Sequence, residues 1–127
     1  MQNIHIDEII DEIIANLTDD KFTNQELEQY LESPNVVVKV NAIIAVYRNQ
    51  ITENSIIEKL NYISQNIKNE PKLLGVWTTG HFAMAVLYLL NTSNTLRIYN
   101  ENTERFDKYT IQDIESAIEQ IPLSFGQ

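Results

Sequence analysis

The chain predicts a mainly α-helical domain of about six helices arranged as three antiparallel pairs. Three observations carry that prediction. Apolar residues recur at helical spacing along most of its 127 residues, as they must when one face of each helix is buried. Three threonines sit where N-caps belong, each with an apolar residue just before it and another four residues after it. Finally, Ala42-Ile43-Ile44-Ala45-Val46-Tyr47 recurs as Ala83-Met84-Ala85-Val86-Leu87-Tyr88, 41 residues later. A small β-hairpin near residues 95–109 is the expected departure from helix.

The first helix is expected over residues 5–17, where Ile6, Ile10, Ile13 and Leu17 line one face opposite Asp7, Glu8, Asp11 and Glu12. The second, over 24–32, starts behind Thr23, and Glu26 completes a capping box by reaching back to the Thr23 amide. Such a cap contributes about 1 kcal/mol. Ser33 can cap the third helix with Pro34 at its first position, where a missing N–H costs nothing. Val36-Val37-Val38-Lys39-Val40 alone would suit a strand, but the length of the apolar pattern, with Ala42 and Ala45, favours a buried helix over 34–49.

Thr52 predicts a fourth helix from residue 53 to 68. The fifth, expected over 71–90, begins near Pro71 and is apolar on nearly every side, so it belongs in the middle of the domain. Gly75 and Gly80 interrupt it, and each costs about 1 kcal/mol against alanine in a helix interior. Gly80 therefore marks a bend or the close approach of a neighbour. Leu96-Arg97-Ile98-Tyr99 and Arg105-Phe106-Asp107-Lys108 alternate around a polar turn, which predicts the hairpin, with a long ordered loop as the alternative. Thr110 is expected to cap a last helix over 111–121.

These helices pair as 5–17 with 24–32, 34–49 with 53–68, and 71–90 with 111–121. With Ser33-Pro34 leading into one apolar first helix and Thr52-Glu53 opening its partner, residues 33–91 resemble HEAT and armadillo helix-pair repeats, whose period is about 40–47 residues. The resemblance implies a stack whose surface holds a protein partner rather than a catalytic cleft. The arginine and aspartate placements typical of HEAT repeats are not evident, and an irregular bundle is the alternative.

Composition narrows the function. There is no cysteine, so thiolate catalysis, disulfides and cysteine-bound zinc are excluded. Three glycines cannot build a phosphate-cradling loop, and no cofactor or metal site is expected. The start of the chain lacks the basic and apolar regions of a signal peptide, and the apolar runs are too interrupted to cross a bilayer. A cytoplasmic protein is expected.

The net charge of −9 is uneven. Residues 1–32 carry nine acids against Lys21, residues 33–98 six bases against three acids, and residues 99–127 six acids against two bases. That field disfavours nucleic acid and favours a basic protein partner. By size, acidity and lack of catalytic signatures, the chain is similar in general type to small bacterial immunity proteins that neutralise a basic toxin domain.

Two kinds of site follow. If the second helices line a concave face, Glu58, Asn61, Tyr62 and Gln65 lie on it with Glu115 and Glu119 of the last helix. Tyr62 is then the natural anchor, a rigid aromatic with a polar tip. Tyr99, Phe106 and Tyr109 of the hairpin form a second aromatic candidate, and covering an end of the helical core would explain them equally well. The alternative is a small-molecule pocket or enzyme site around Trp77 and His81, one turn apart if their helix is continuous. A packed Trp beside a hydrogen-bonded core His is the competing structural reading of that pair.

Overall fold

The computed structural model describes residues 6–68, 72–73 and 77–126. Through them run α1 (Ile6–Thr18), α2 (Asn24–Leu31), α3 (Val36–Arg48), α4 (Asn54–Gln65), α5 (Thr79–Leu90), α6 (Ser93–Thr103) and α7 (Lys108–Phe125). Between α4 and α5, β1 (Lys72–Leu73) and β2 (Trp77–Thr78) form a short antiparallel ladder. The mainly α class holds, with seven helices among the described residues in place of six.

The helices contact one another in two layers. In one, α1 meets α3, α3 meets α5 and α5 meets α7; in the other, α2 meets α4 and α4 meets α6. The layers join where α2 packs on α3 and where α5 packs on α4 and α6. Of the three pairs read from sequence, only 71–90 with 111–121 corresponds to an extensive contact, that of α5 with α7. Across the layers the close partners are instead α2 with α3, α4 with α5 and α5 with α6.

The core sits on α3 and α5, where Ala42 to Val46 and Thr79 to Leu87 are all buried. The recurring hexapeptide therefore marks the two central helices, whose alanines let the chains pack closely. Phe82, Ile43, Met84 and Leu87 are among the largest fully buried side chains, each stabilising the fold by about 1.5–3 kcal/mol relative to exposure.

The expected hairpin at 95–109 is not formed; α6 occupies most of it. Thr92 accepts the Thr95 amide at 3.0 Å, and Thr95 Oγ1 accepts the Thr92 amide at 3.0 Å, a reciprocal N-cap. Thr95, Ile98, Tyr99 and Asn102 then face the core at helical spacing. This helical period overrides the two-residue alternation of Leu96 to Tyr99.

The strand pairing lies earlier, between Lys72–Leu73 and Trp77–Thr78, where a helix was expected. The predicted helix start at Pro71 and the interruption at Gly75 fall outside the described residues. Gly80 is not a kink but a close approach at the first turn of α5, where a methyl group would lie 2.5 Å from Ile67 Cα.

Several caps also differ from expectation. Asn35, not Ser33, caps α3, its Oδ1 accepting the Val37 and Val38 amides at 2.9 and 3.0 Å, while Ser33 Oγ accepts the Asn35 amide. Glu53 precedes α4 without a side-chain cap bond, so Thr52 plays no capping part. Asp107 caps α7 by accepting the Thr110 amide at 2.8 Å, and the helix starts before Thr110 and runs past Pro122. That bond holds the Asp107 carboxyl below its ordinary range. Thr23 and Glu26 form the predicted capping box, at 3.0 and 2.8 Å.

A repeat emerges that the letters conceal. After α1, the Asp20 amide bonds Leu17 and the Lys21 amide bonds Asn16; after α3, the Gln50 amide bonds Tyr47 and the Ile51 amide bonds Val46. These are matched Schellman ends thirty residues apart. Asp20 and Gln50 both take a left-handed conformation, with φ 60° and 51°.

Candidate functional site

The outer face of the α2–α4–α6 layer carries two neighbouring grooves. One, of about 600 Å³, lies along the α2–α4 seam and is lined by Glu28, Glu32, Ser55, Glu58, Lys59 and Tyr62, with Leu31, Lys39 and Ile63 below. The second, of about 390 Å³, follows the α4–α6 seam between Asn54, Glu58, Asn61, Asn94, Arg97 and Glu101. Glu58 borders both, so α4 is a ridge between them.

Helical spacing places these groups. Glu58 and Tyr62 are four residues apart and share one face of α4, while Leu60 and Ile63 turn inward to anchor that helix. Tyr62 is 69% exposed although its ring is large and apolar. Of the other aromatics on this layer, Tyr99 is buried and Tyr30 half-buried, whereas Tyr62 stands in water.

The cations of the face are already engaged. Lys59 Nζ donates to Glu32 at 2.7 Å across the α2–α4 seam, and that bond holds the Lys59 ammonium above the ordinary lysine range. Arg97 donates to both Glu101 oxygens at 3.1 Å and to Asn94 at 2.7 Å. Of the carboxylates, Glu28 accepts from Ser55 at 2.9 Å. Glu58 forms no hydrogen bond or ion pair among the described residues, so the uncompensated charge on the ridge is negative.

Beneath the second groove lies a polar contact that locks α6 to α4. Asn102 is 2% exposed; its Nδ2 donates to Asn61 Oδ1 at 2.8 Å and to Ser64 Oγ at 3.1 Å. Ser64 in turn donates to the Asn61 carbonyl at 2.8 Å. Asn61 is thus half-buried and structural on its carbonyl side, while its residue borders the groove.

The sequence-based candidates separate. Glu58, Asn61 and Tyr62 line the grooves as a group, and Gln65 is exposed at the end of α4. Glu115 and Glu119 are exposed on α7, in the other layer. α4 and α7 both pack on α5 rather than extensively on each other, so no shared concave face forms from them.

Tyr99 is 8% exposed and stacked obliquely on Tyr88 at 5.1 Å; burial raises its pKa, with Glu115 adding to the effect. It belongs to the core because residues 93–103 are helical. Phe106 is half-buried against that core. Glu28, Glu32, Ser55, Lys59, Asn94, Arg97 and Glu101 were missed as face residues. Their signal was present in the three- and four-residue spacings Glu28/Glu32, Ser55/Lys59 and Asn94/Arg97/Glu101.

Trp77 and His81 do not share a helix face. Trp77 lies in β2, edge-on to Phe82 at 5.7 Å. His81 is the third residue of α5 and 7% exposed. Its Nδ1 accepts the Thr78 amide at 2.9 Å, which requires the neutral ring with Nδ1 unprotonated. Burial lowers its pKa, partly opposed by Asp113. Thr78 Oγ1 donates to the Ile67 carbonyl at 2.9 Å and accepts the Gly80 amide at 3.1 Å. The histidine is thus a capping group whose lone pair is occupied, leaving no free base at Nδ1.

No group of three or more His, Asp or Glu side chains among the described residues is placed to hold a metal ion. No described helix is long and apolar enough to cross a membrane. No protein-family model, curated protein or solved structure matches this chain.

Proposed function

We propose that the chain is a non-enzymatic protein-binding module whose α2–α4–α6 face receives a basic polypeptide. The observation that carries this reading is the ridge of α4, where exposed Tyr62 stands beside Glu58, which has no hydrogen bond or ion pair among the described residues, while Lys59 and Arg97 are neutralised within the face. An aromatic anchor with surrounding carboxylates is suited to a cationic protein surface. The order of helix contacts supports reading the domain as a short HEAT-like stack. In its sharper form the module is an immunity-type protein that neutralises a basic toxin domain in the cytoplasm.

The test is kinetic. A basic polypeptide recovered with the chain from its own cells should associate more slowly as salt rises, and Glu58→Lys with Glu28→Lys should slow association far more than they change dissociation. An acidic or nucleic-acid partner, or an association rate indifferent to both changes, contradicts the proposal.

A further inference from the structure

Resting on that reading, we infer that Glu58 and Tyr62 form a seat for an arginine side chain of the partner, with the α2–α4 groove taking the residues beside it. Both groups are exposed, border the same groove and stand one helical turn apart. A guanidinium can lay its plane on a tyrosine face while donating to a neighbouring carboxylate. Its weak hydration makes it better suited to that position than an ammonium.

Charge selects the occupant. An anion would meet Glu28, Glu32 and Glu58 with no cation spared for it, since Lys59 is held by Glu32 and Arg97 by Glu101. Lys39, at the same groove, is engaged as well. A bare metal ion would need converging carboxylates, and no such group is found among the described residues. A planar organic cation satisfies both the exposed Glu58 carboxylate and the exposed Tyr62 ring.

Two nonapeptides of equal charge, one of arginine and one of lysine, test the seat by titration of the intact chain followed by NMR. The arginine peptide should bind about 5-fold more tightly, an increment of about 1 kcal/mol, with the largest shifts at Glu58 and Tyr62. Tyr62→Leu should abolish the preference while lysine-peptide binding persists, Tyr62→Phe should retain it, and Glu58→Gln should weaken both peptides.

Equal affinity for the two peptides at the groove, or a preference that survives Tyr62→Leu, overturns the arginine seat alone. Shifts confined to the acidic stripe of α1, or none at all, overturn both the seat and the proposed face. Both side chains are exposed, and an unchanged melting temperature identifies a folded variant.

Discussion

Arg48 is bonded to Asp20, its Nη2 donating to Oδ1 at 2.7 Å and to the Thr18 carbonyl at 2.6 Å. Arg48 is the last residue of α3 and Thr18 the last of α1. The guanidinium therefore satisfies an end-of-helix carbonyl that the α1 ladder leaves open, and it joins two matching positions of neighbouring helices.

Removing that link should loosen α1, the edge helix of its layer. Arg48→Ala should cost about 1–2 kcal/mol in urea unfolding, below the range for a buried charged bond because both side chains are partly in water. Asp20→Asn should cost less, since the Thr18 bond remains. A loss below about 0.3 kcal/mol for Arg48→Ala would show that the link is ornamental.

Gly80→Ala should destabilise by about 1–3 kcal/mol, as overpacking does. The added methyl meets Ile67 Cα at 2.5 Å, so shortening the isoleucine cannot relieve it. Ile67→Ala in the same chain should therefore fail to rescue, and recovery of stability in the double variant would show that only the side chain was in the way.

Asn102→Ala should cost about 1–3 kcal/mol by leaving Asn61 Oδ1 and Ser64 Oγ without their donor. Asn102→Asp should cost more at neutral pH, because it places an acceptor and a charge against two acceptors. Thermal unfolding of both variants gives the order directly, and an Asp variant as stable as wild type would contradict the donor assignment.

Stability should fall in mild acid through His81. Its folded pKa lies below the ordinary 6.5, so the neutral ring is favoured by folding. That contribution is complete above about pH 6.5 and is lost as pH drops toward the lowered folded value. Protonation puts a proton on Nδ1 facing the Thr78 amide and breaks the cap. His81→Gln, which can accept the same bond, should flatten the melting-temperature profile between pH 7 and 5. An equally steep profile would assign the acid response to other groups.

Helices with a strong 3.6-residue pattern and a matched cap were legible from the residues, as Thr23 and Glu26 illustrate. Residues 95–109 were not, because Leu96, Ile98 and the following charges satisfy a two-residue alternation locally. The reciprocal Thr92–Thr95 cap and the core that buries Asn102 select the helix. The thirty-residue repeat escaped because it is carried by backbone bonds at Asp20 and Gln50, and different letters adopt the same left-handed turn. The 41-residue offset of the hexapeptide is longer because the β1–β2 connection intervenes between α4 and α5.

The site was half legible. Glu58, Asn61 and Tyr62 follow from the polar face of one helix, whereas their neighbours on α2 and α6 depend on which helices stack. Glu115 and Glu119 were drawn to the same face by a pairing that counted six helices. The seventh helix, α6, takes the place beside α4.

The most direct test of the binding face is a photo-crosslinking amino acid at position 62, used in the chain's own cells, with position 115 on α7 as the comparison. The account predicts that position 62 captures a basic polypeptide, that Glu58→Lys suppresses the product, and that position 115 gives none of it. Capture of the same polypeptide at position 115 but not at 62, or a product at 62 that is indifferent to Glu58→Lys, would contradict the α2–α4–α6 face as the binding surface.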